Sequence, residues 1–391
     1  MRVLFFTNPL AVRLRPLLPL ARSLRDQGHE VAVSTAVTMR DLLEPEGFEL
    51  MLFGATSDEV SAEVSRRAGT DVLFLPAEDL VAEYFAGARI DLLADEAADR
   101  AGAWAPDLVV AEYCDLIGPL IAQALDVPCA VVSTGPSPSS GTLDAMADKV
   151  AGRYVERGLQ PPSRVPWGRW LLDLCPPSLH PQGWTPPLQR VALRADFVGE
   201  AAIPPGPPFA SAGERPRVLL GPGTATGASL GLEAVLRSLD SLGIEVAAAA
   251  GWRTAAGLAC DTYQDYAAEG LSAASSLEGM SAVLHDGSAE MTFAAAARGI
   301  PAVVLPASPE QQLRAQAVEA AGAGLALRPG HPEPALITEG IGRLLGDARF
   351  TDAARRIGRE MAGMPTATEV GRWLVAAVSR KRQPRPPSGR S

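Results

Sequence analysis

From its first residues the chain repeats one pattern, a short apolar run followed by a longer amphipathic one. Val3 to Thr7 has the character of a strand. Pro16 to Gln27 places apolar residues on one helical face and is closed by Gly28, and Glu30 to Ser34 is again strand-like. Leu108 to Ala111 and Cys129 to Ser133 flank a helical run from Gly118 to Leu125. Such alternation predicts a parallel sheet with helices on both faces, because each crossover must return the chain to the same end of the sheet. Ala201 to Pro216 interrupts it with Pro and Gly and is expected to be a linker. The rhythm then restarts: strand Arg217 to Leu220, helix Leu230 to Leu242, strand Ile244 to Ala249. Farther on come strand Ala282 to His285, helix Ala289 to Arg298, strand Ala302 to Leu305 and helix Gln311 to Ala321. The expected architecture is α/β, two tandem Rossmann-like doubly wound domains at 1–200 and 217–365 facing an interdomain cleft. The remainder divides into a last helix within 366–380, centred on Glu369 to Ser379, and a basic tail at 381–391. That tail holds no large apolar residue and is expected to be a solvated, disordered chain end.

The charge balance narrows the partners. With 45 acidic against 35 basic residues and a net charge of −10, the chain lacks the basic surface that nucleic acid demands. The four cysteines, Cys114, Cys129, Cys175 and Cys260, have neither metal-ligand nor paired spacing. They read as buried thiols, and no metal is expected. No apolar run approaches the ~20 residues of a membrane span, and the opening strand is too short for a signal-peptide core. A cytoplasmic location is the expectation.

Chemistry concentrates between Leu284 and Gln311. The order Leu284-His285-Asp286-Gly287-Ser288-Ala289-Glu290-Met291-Thr292, then Gly299-Ile300-Pro301, then Glu310-Gln311, runs strand, glycine turn, helix, strand, acid–amide pair. Such an arrangement can set an anion at a helix N-terminus and a sugar beside a carboxylate. It resembles the donor-site signature of the antibiotic-type natural-product glycosyltransferases of the GT-B fold, His-His-Gly-Gly-Ala-Gly-Thr-Thr followed by Gly-Val-Pro and Asp-Gln. His285, Gly287, Ala289, Thr292, Gly299, Pro301 and Gln311 match, and Glu310 replaces the Asp. The likeness extends to Gly28-His29-Glu30-Val31, Gly118-Pro119, Ala321-Gly322-Ala323-Gly324 and Met361 to Thr366. It implies that the last helix crosses back onto the N-terminal domain. It also implies a nucleotide sugar as donor substrate if the protein is active, no other cofactor, and a hydrophobic natural-product aglycone or intermediate as partner. A partner glycosyltransferase or a homodimer is a further possibility.

The departures from the signature bear on activity. In the family a His three residues before the first-helix proline deprotonates the acceptor hydroxyl. Here Pro16 sets the register and Arg13 stands at the His position. Arginine stays protonated in proteins and cannot be that base. The family's acidic partner corresponds to Glu112, so an Arg13–Glu112 ion pair is expected; Asp115 and Asp26 are candidate replacement bases. On the donor side Asp286 replaces the phosphate-facing His and Glu290 replaces a Gly in the first helical turn. A carboxylate ~5 Å from a phosphate at an effective dielectric near ~20 costs about 3 kcal/mol. Two would weaken binding more than about a hundredfold. Acids in a first turn also satisfy the helix dipole and its free N–H groups, so the loop is expected to fill its own anion site.

Gly223-Thr224 matches the family's Gly-Thr turn near the phosphates, and Glu310-Gln311 its sugar-binding pair. The nucleobase-stacking segment corresponds to Gly270-Leu271-Ser272-Ala273, without a ring. The resemblance also assigns the Pro-rich stretch Pro161 to Gln189, with Trp167 and Trp170, to the acceptor cleft; loop packing is the alternative. Three readings stay open: a family member whose ordinary nucleotide-sugar transfer is lost or altered, kept as a scaffold or binder; an active transferase with an Asp or Glu base; and a cleft reused for non-glycosyl chemistry.

Overall fold

The computed structural model describes residues 1–196, 215–221, 232–248, 264–265, 277–328 and 333–382. The linker core, the Gly223-Thr224 turn, the 270–273 segment and the tail beyond Arg382 lie outside the described residues.

Two parallel sheets form the frame. The first comprises β1 (Arg2–Phe6), β2 (Glu30–Thr35), β3 (Glu49–Leu52), β4 (Leu108–Glu112), β5 (Cys129–Ser133), β6 (Trp170–Asp173) and β7 (Gln189–Ala192). Its order is β3-β2-β1-β4-β5-β6-β7, parallel throughout. The second comprises β8 (Arg217–Gly221), β9 (Glu245–Ala248), β10 (Gln264–Asp265), β11 (Ala282–His285), β12 (Ala302–Val304) and β13 (Gly324–Ala326), in the order β10-β9-β8-β11-β12-β13. The doubly wound expectation holds for both.

Helices cover both faces of each sheet, and so the strands are apolar on both sides. Alternate residues of β1 divide between two core layers: Val3 and Phe5 pack with Val110 and Val132, while Leu4 and Phe6 pack with Val109 and Val131. The layer holding Val3 and Phe5 continues into the second domain through Leu219, Val283 and Phe293. The helix Ala367–Arg382 joins the two. Val370, Leu374 and Val378 are buried, the helix packs against Leu18–Asp26, and Thr368 accepts from Ser23 at 3.2 Å.

β6 lies inside the Pro-rich stretch that the sequence had suggested as cleft lining. All four of its residues are buried. On the other side of the first sheet, the helix Ala77–Ala82 passes through a π-helical turn at Glu83–Ala88 into the helix Arg89–Trp104. That turn carries Phe85 to the cleft. No described helix is long and apolar enough to cross a membrane.

Candidate functional site

In each sheet the strand order reverses between two neighbouring strands, β1 and β4 in the first and β8 and β11 in the second. The crevice beyond the carboxyl ends of such strands is where doubly wound sheets bind ligands. The loop after β1 carries Asn8 and Arg13 to that crevice, and the end of β4 carries Glu112. The turn after β11 carries Asp286, Gly287 and Ser288.

Arg13 sits in the short helix Ala11–Leu14. Its guanidinium donates to Glu310, which begins the helix Pro309–Ala320 in the second domain. This corrects the expected Arg13–Glu112 pair. Glu112 already accepts from the Asn8 amide and, at 2.9 Å, from the Cys114 N–H, so its carboxylate is occupied inside the first domain. Arg13 instead reaches across the cleft. Glu310 takes a second guanidinium, from Arg314 at 2.6 Å, one helical turn on. Arg314 also donates to the carbonyls of Gly287, at 2.7 Å, and of Gly135 in the first domain, at 2.9 Å. Arg13, Glu310 and Arg314 thus form a charged strap between the domains.

The charges follow from this geometry. Burial works against the charge on Arg13, yet Cys114, Glu310 and Glu112 around it and the Glu310 hydrogen bond hold it above the ordinary arginine value. Burial alone would raise the Glu310 carboxyl; Arg13 and Arg314 outweigh it and bring Glu310 down to about 2. Burial pushes Glu112 up, and Arg13 with the two hydrogen bonds offsets only part of that. Of the candidate replacement bases, Asp115 is fully buried against Arg89 at 2.9 Å and accepts from the Gly118 N–H. Asp26 lies on the surface beside Arg25. Neither lines the cleft chambers.

The loop after β11 spends its own acids. Asp286 accepts from the Ser288 N–H at 2.9 Å and from the Gln311 amide at 2.9 Å. Gln311 in turn accepts from the backbone of Ala307 and Ser308, closing a capping box with Ser308. Expected as a sugar ligand, Gln311 is occupied as a helix cap. Glu290 pairs with Arg15 of the first domain at 3.2 Å. Gly287 has a positive φ of 80°, and a Cβ there would fall 2.8 Å from the Gln311 carbonyl, so only glycine lets the turn lie against that helix. His285 is fully buried; its Nδ1 accepts from the Gly287 N–H at 2.9 Å, and burial holds it down at about 4 against the pull of Asp286. A histidine held neutral and occupied in this way serves the turn. Gly223 and Thr224, assigned to the same site, lie outside the described residues.

The strap divides the cleft into two chambers. One, of about 270 Å³, is ringed by the charged side chains of Arg13, Arg15 and Arg314 against Asp286, Glu290 and Glu310. Three cations meet three anions there. The other, of about 350 Å³, is mainly apolar, with Val81, Phe85, Tyr113, Pro136 and Leu313 in its walls and Arg13 and Glu310 at its boundary with the first.

Trp167 and Trp170 do not wall this chamber, a second correction. Trp167 is 3% exposed, stacks behind Tyr113 at 4.6 Å and donates to the Tyr113 carbonyl. Trp170 is 1% exposed in β6 and meets Trp373 of the last helix edge-on at 5.6 Å. The aromatic walls are Tyr113 and Phe85. Sequence reasoning missed these two, together with Asn8, Arg15 and Arg314. Of the five, only Arg314 carried a local signal, its i,i+4 spacing from Glu310.

Comparison with known proteins bears on this site. Residues 22–221 match the family described as Erythromycin biosynthesis protein CIII-like, N-terminal domain, and residues 268–377 its C-terminal counterpart. The chain is 30% identical to the elloramycin glycosyltransferase ElmGT of Streptomyces olivaceus, over 96% of this chain and 97% of that protein. Its fold is similar to that of SsfS6, a Streptomyces sp. SF2575 glycosyltransferase, with a TM-score of 0.77 at 24% identity over 96% of this chain and 99% of that one. It is similar also to the spinosyn rhamnosyltransferase SpnG complexed with thymidine diphosphate, with a TM-score of 0.78 at 24% identity, covering 96% and 100%.

Proposed function

The chain belongs to the EryCIII-like family of glycosyltransferases of antibiotic biosynthesis, and on that premise we propose that ordinary nucleotide-sugar transfer is lost or altered in it. The observation that carries this reading is how the charged side chains of the smaller chamber, among the described residues, are already engaged. Arg13 and Arg314 share Glu310, Arg15 holds Glu290, and Asp286 caps its own loop. A diphosphate entering there meets no net positive charge and must displace carboxylates from guanidinium partners. Among the described residues, no imidazole lines either chamber to take a proton from an acceptor. Arg13 stands where that base belongs, and the nearby Glu112 already accepts two hydrogen bonds. In this reading the apolar chamber is the seat of a hydrophobic aglycone or intermediate.

Calorimetric titration of the full chain with UDP and dTDP tests the proposal. Binding weaker than micromolar is the expected result; micromolar affinity for either overturns the argument of a self-filled site. Replacing Arg13→His together with Asp286→His probes the same point by gain of function. Appearance of sugar transfer in the double variant supports the reading that these positions carry the alteration.

A further inference from the structure

The boundary of the apolar chamber has a chemistry of its own. Arg13 offers five N–H donors, and among the described residues its guanidinium donates to one side chain, Glu310. Both oxygens of Glu310 are occupied, one by Arg13 and the other by Arg314. Two guanidiniums therefore share one carboxylate, so within this trio the excess charge is positive. The other ionisable groups that face Arg13 or line the chamber are Glu112, Cys114, Tyr113 and Glu78. Glu112 is held above the usual carboxylate range by burial, and burial likewise pushes up the Cys114 thiol and the Tyr113 phenol. Glu78 lines the chamber beside Ser139, whose hydroxyl it accepts at 2.8 Å. Phe85 covers Arg13, its ring centre 5.9 Å from the guanidinium carbon.

A neutral alcohol set against Arg13 gains one hydrogen bond from the guanidinium and keeps its proton. An oxygen that ionises by itself is favoured there, because a guanidinium beside an apolar wall stabilises an oxyanion far more than water-exposed charge does. We infer that the apolar chamber takes an apolar molecule carrying an acidic hydroxyl, a phenol or an enol, and that Arg13 holds its oxygen as the anion. The assignment rests on reading this chamber as the aglycone seat. Its volume of about 350 Å³ falls within the range of small-molecule sites and suits a fused-ring ligand.

The test uses a matched pair of probes, 7-hydroxycoumarin and its 7-methoxy ether, titrated into the full chain. The hydroxycoumarin absorbs at different wavelengths when neutral and when ionised, so the bound probe reports its own protonation. The expected result is binding of both probes, with the bound phenol ionising at least about one pH unit below its value in water. Arg13→Gln is expected to keep the ether and lose the shift, and Arg13→Lys to restore part of it. If both probes bind without a shift, the anion assignment is overturned while the chamber stands. If the shift survives Arg13→Gln, another group holds the oxygen and the role given to Arg13 is overturned. If neither probe binds, the aglycone seat itself is withdrawn along with the inference.

Discussion

Arg13 and Glu310 are 297 positions apart in the sequence and form an ion pair across the interdomain cleft. The sequence resemblance assigns the first position to the proton acceptor and the second to the sugar ligand. In this protein they satisfy each other, and Arg314 completes the strap by tying Glu310 to the Gly135 carbonyl of the first domain.

Arg314 is the strap's most buried member. Replacing it with Met strands the carbonyls of Gly287 and Gly135 and leaves Glu310 with a single partner. Leaving a buried acceptor without its donor costs about 1–3 kcal/mol. Urea unfolding should show a midpoint lowered accordingly, and Arg314→Lys should not recover it, since an ammonium cannot reproduce the planar fork. An unchanged midpoint for Arg314→Met would count against the strap as a structural element.

Glu310 gives that strap a pH dependence. Its folded-state value is depressed to about 2 from an ordinary 4.5, so its contribution is complete above the ordinary value and disappears as pH falls through about 2. Wild type and Glu310→Gln should differ in thermal stability at neutral pH and converge between those two values. Equal separation across the whole range would show that the carboxylate charge is not what the strap uses.

His285 acts in the same direction for a different reason. Burial lowers it to about 4 from an ordinary 6.5, so the unfolded chain binds a proton that the folded chain refuses within that interval. Stability should fall as pH drops from 6.5 toward 4. Nitrogen NMR of His285 should report a mainly neutral ring in the upper part of that interval, with Nδ1 as the acceptor of the Gly287 N–H. A ring already protonated near its ordinary value of 6.5 contradicts the assignment.

Trp170 is a core residue, and its loss should behave as one. Trp170→Ala removes a fully buried ring and the edge contact with Trp373, at a cost of about 3–5 kcal/mol. Hydrogen exchange should quicken in the helix Ala367–Arg382 while binding of 7-methoxycoumarin in the apolar chamber persists in the folded fraction. Specific loss of probe binding with unaltered stability would return Trp170 to the cleft wall.

The central strands of both sheets were readable because they are apolar runs bounded by turn residues, whereas β3, β7, β10 and β13 are short or polar and were not read. Cys129 to Ser133 and Ala282 to His285 coincide with observed strands. β6 escaped notice because Pro and Gly crowd its flanks, so Trp170-Leu171-Leu172 looked like a loop rich in aromatics. Its burial on both faces comes from pairing with β5 and β7, which no local pattern encodes.

At the site, the chain's residue types declared what was missing. An arginine at position 13 cannot accept a proton, and Asp286 and Glu290 add negative charge to a helix start; both statements follow from side-chain chemistry alone. The partner of each charge was a different matter. Glu112 was the nearer guess for Arg13 in the order of elements, but its oxygens were taken by Asn8 and Cys114. Glu310 became the partner only when two separately folded sheets brought their carboxyl ends together. Ion pairs are set by distance in space and by competition for lone pairs, and a linear sequence records neither.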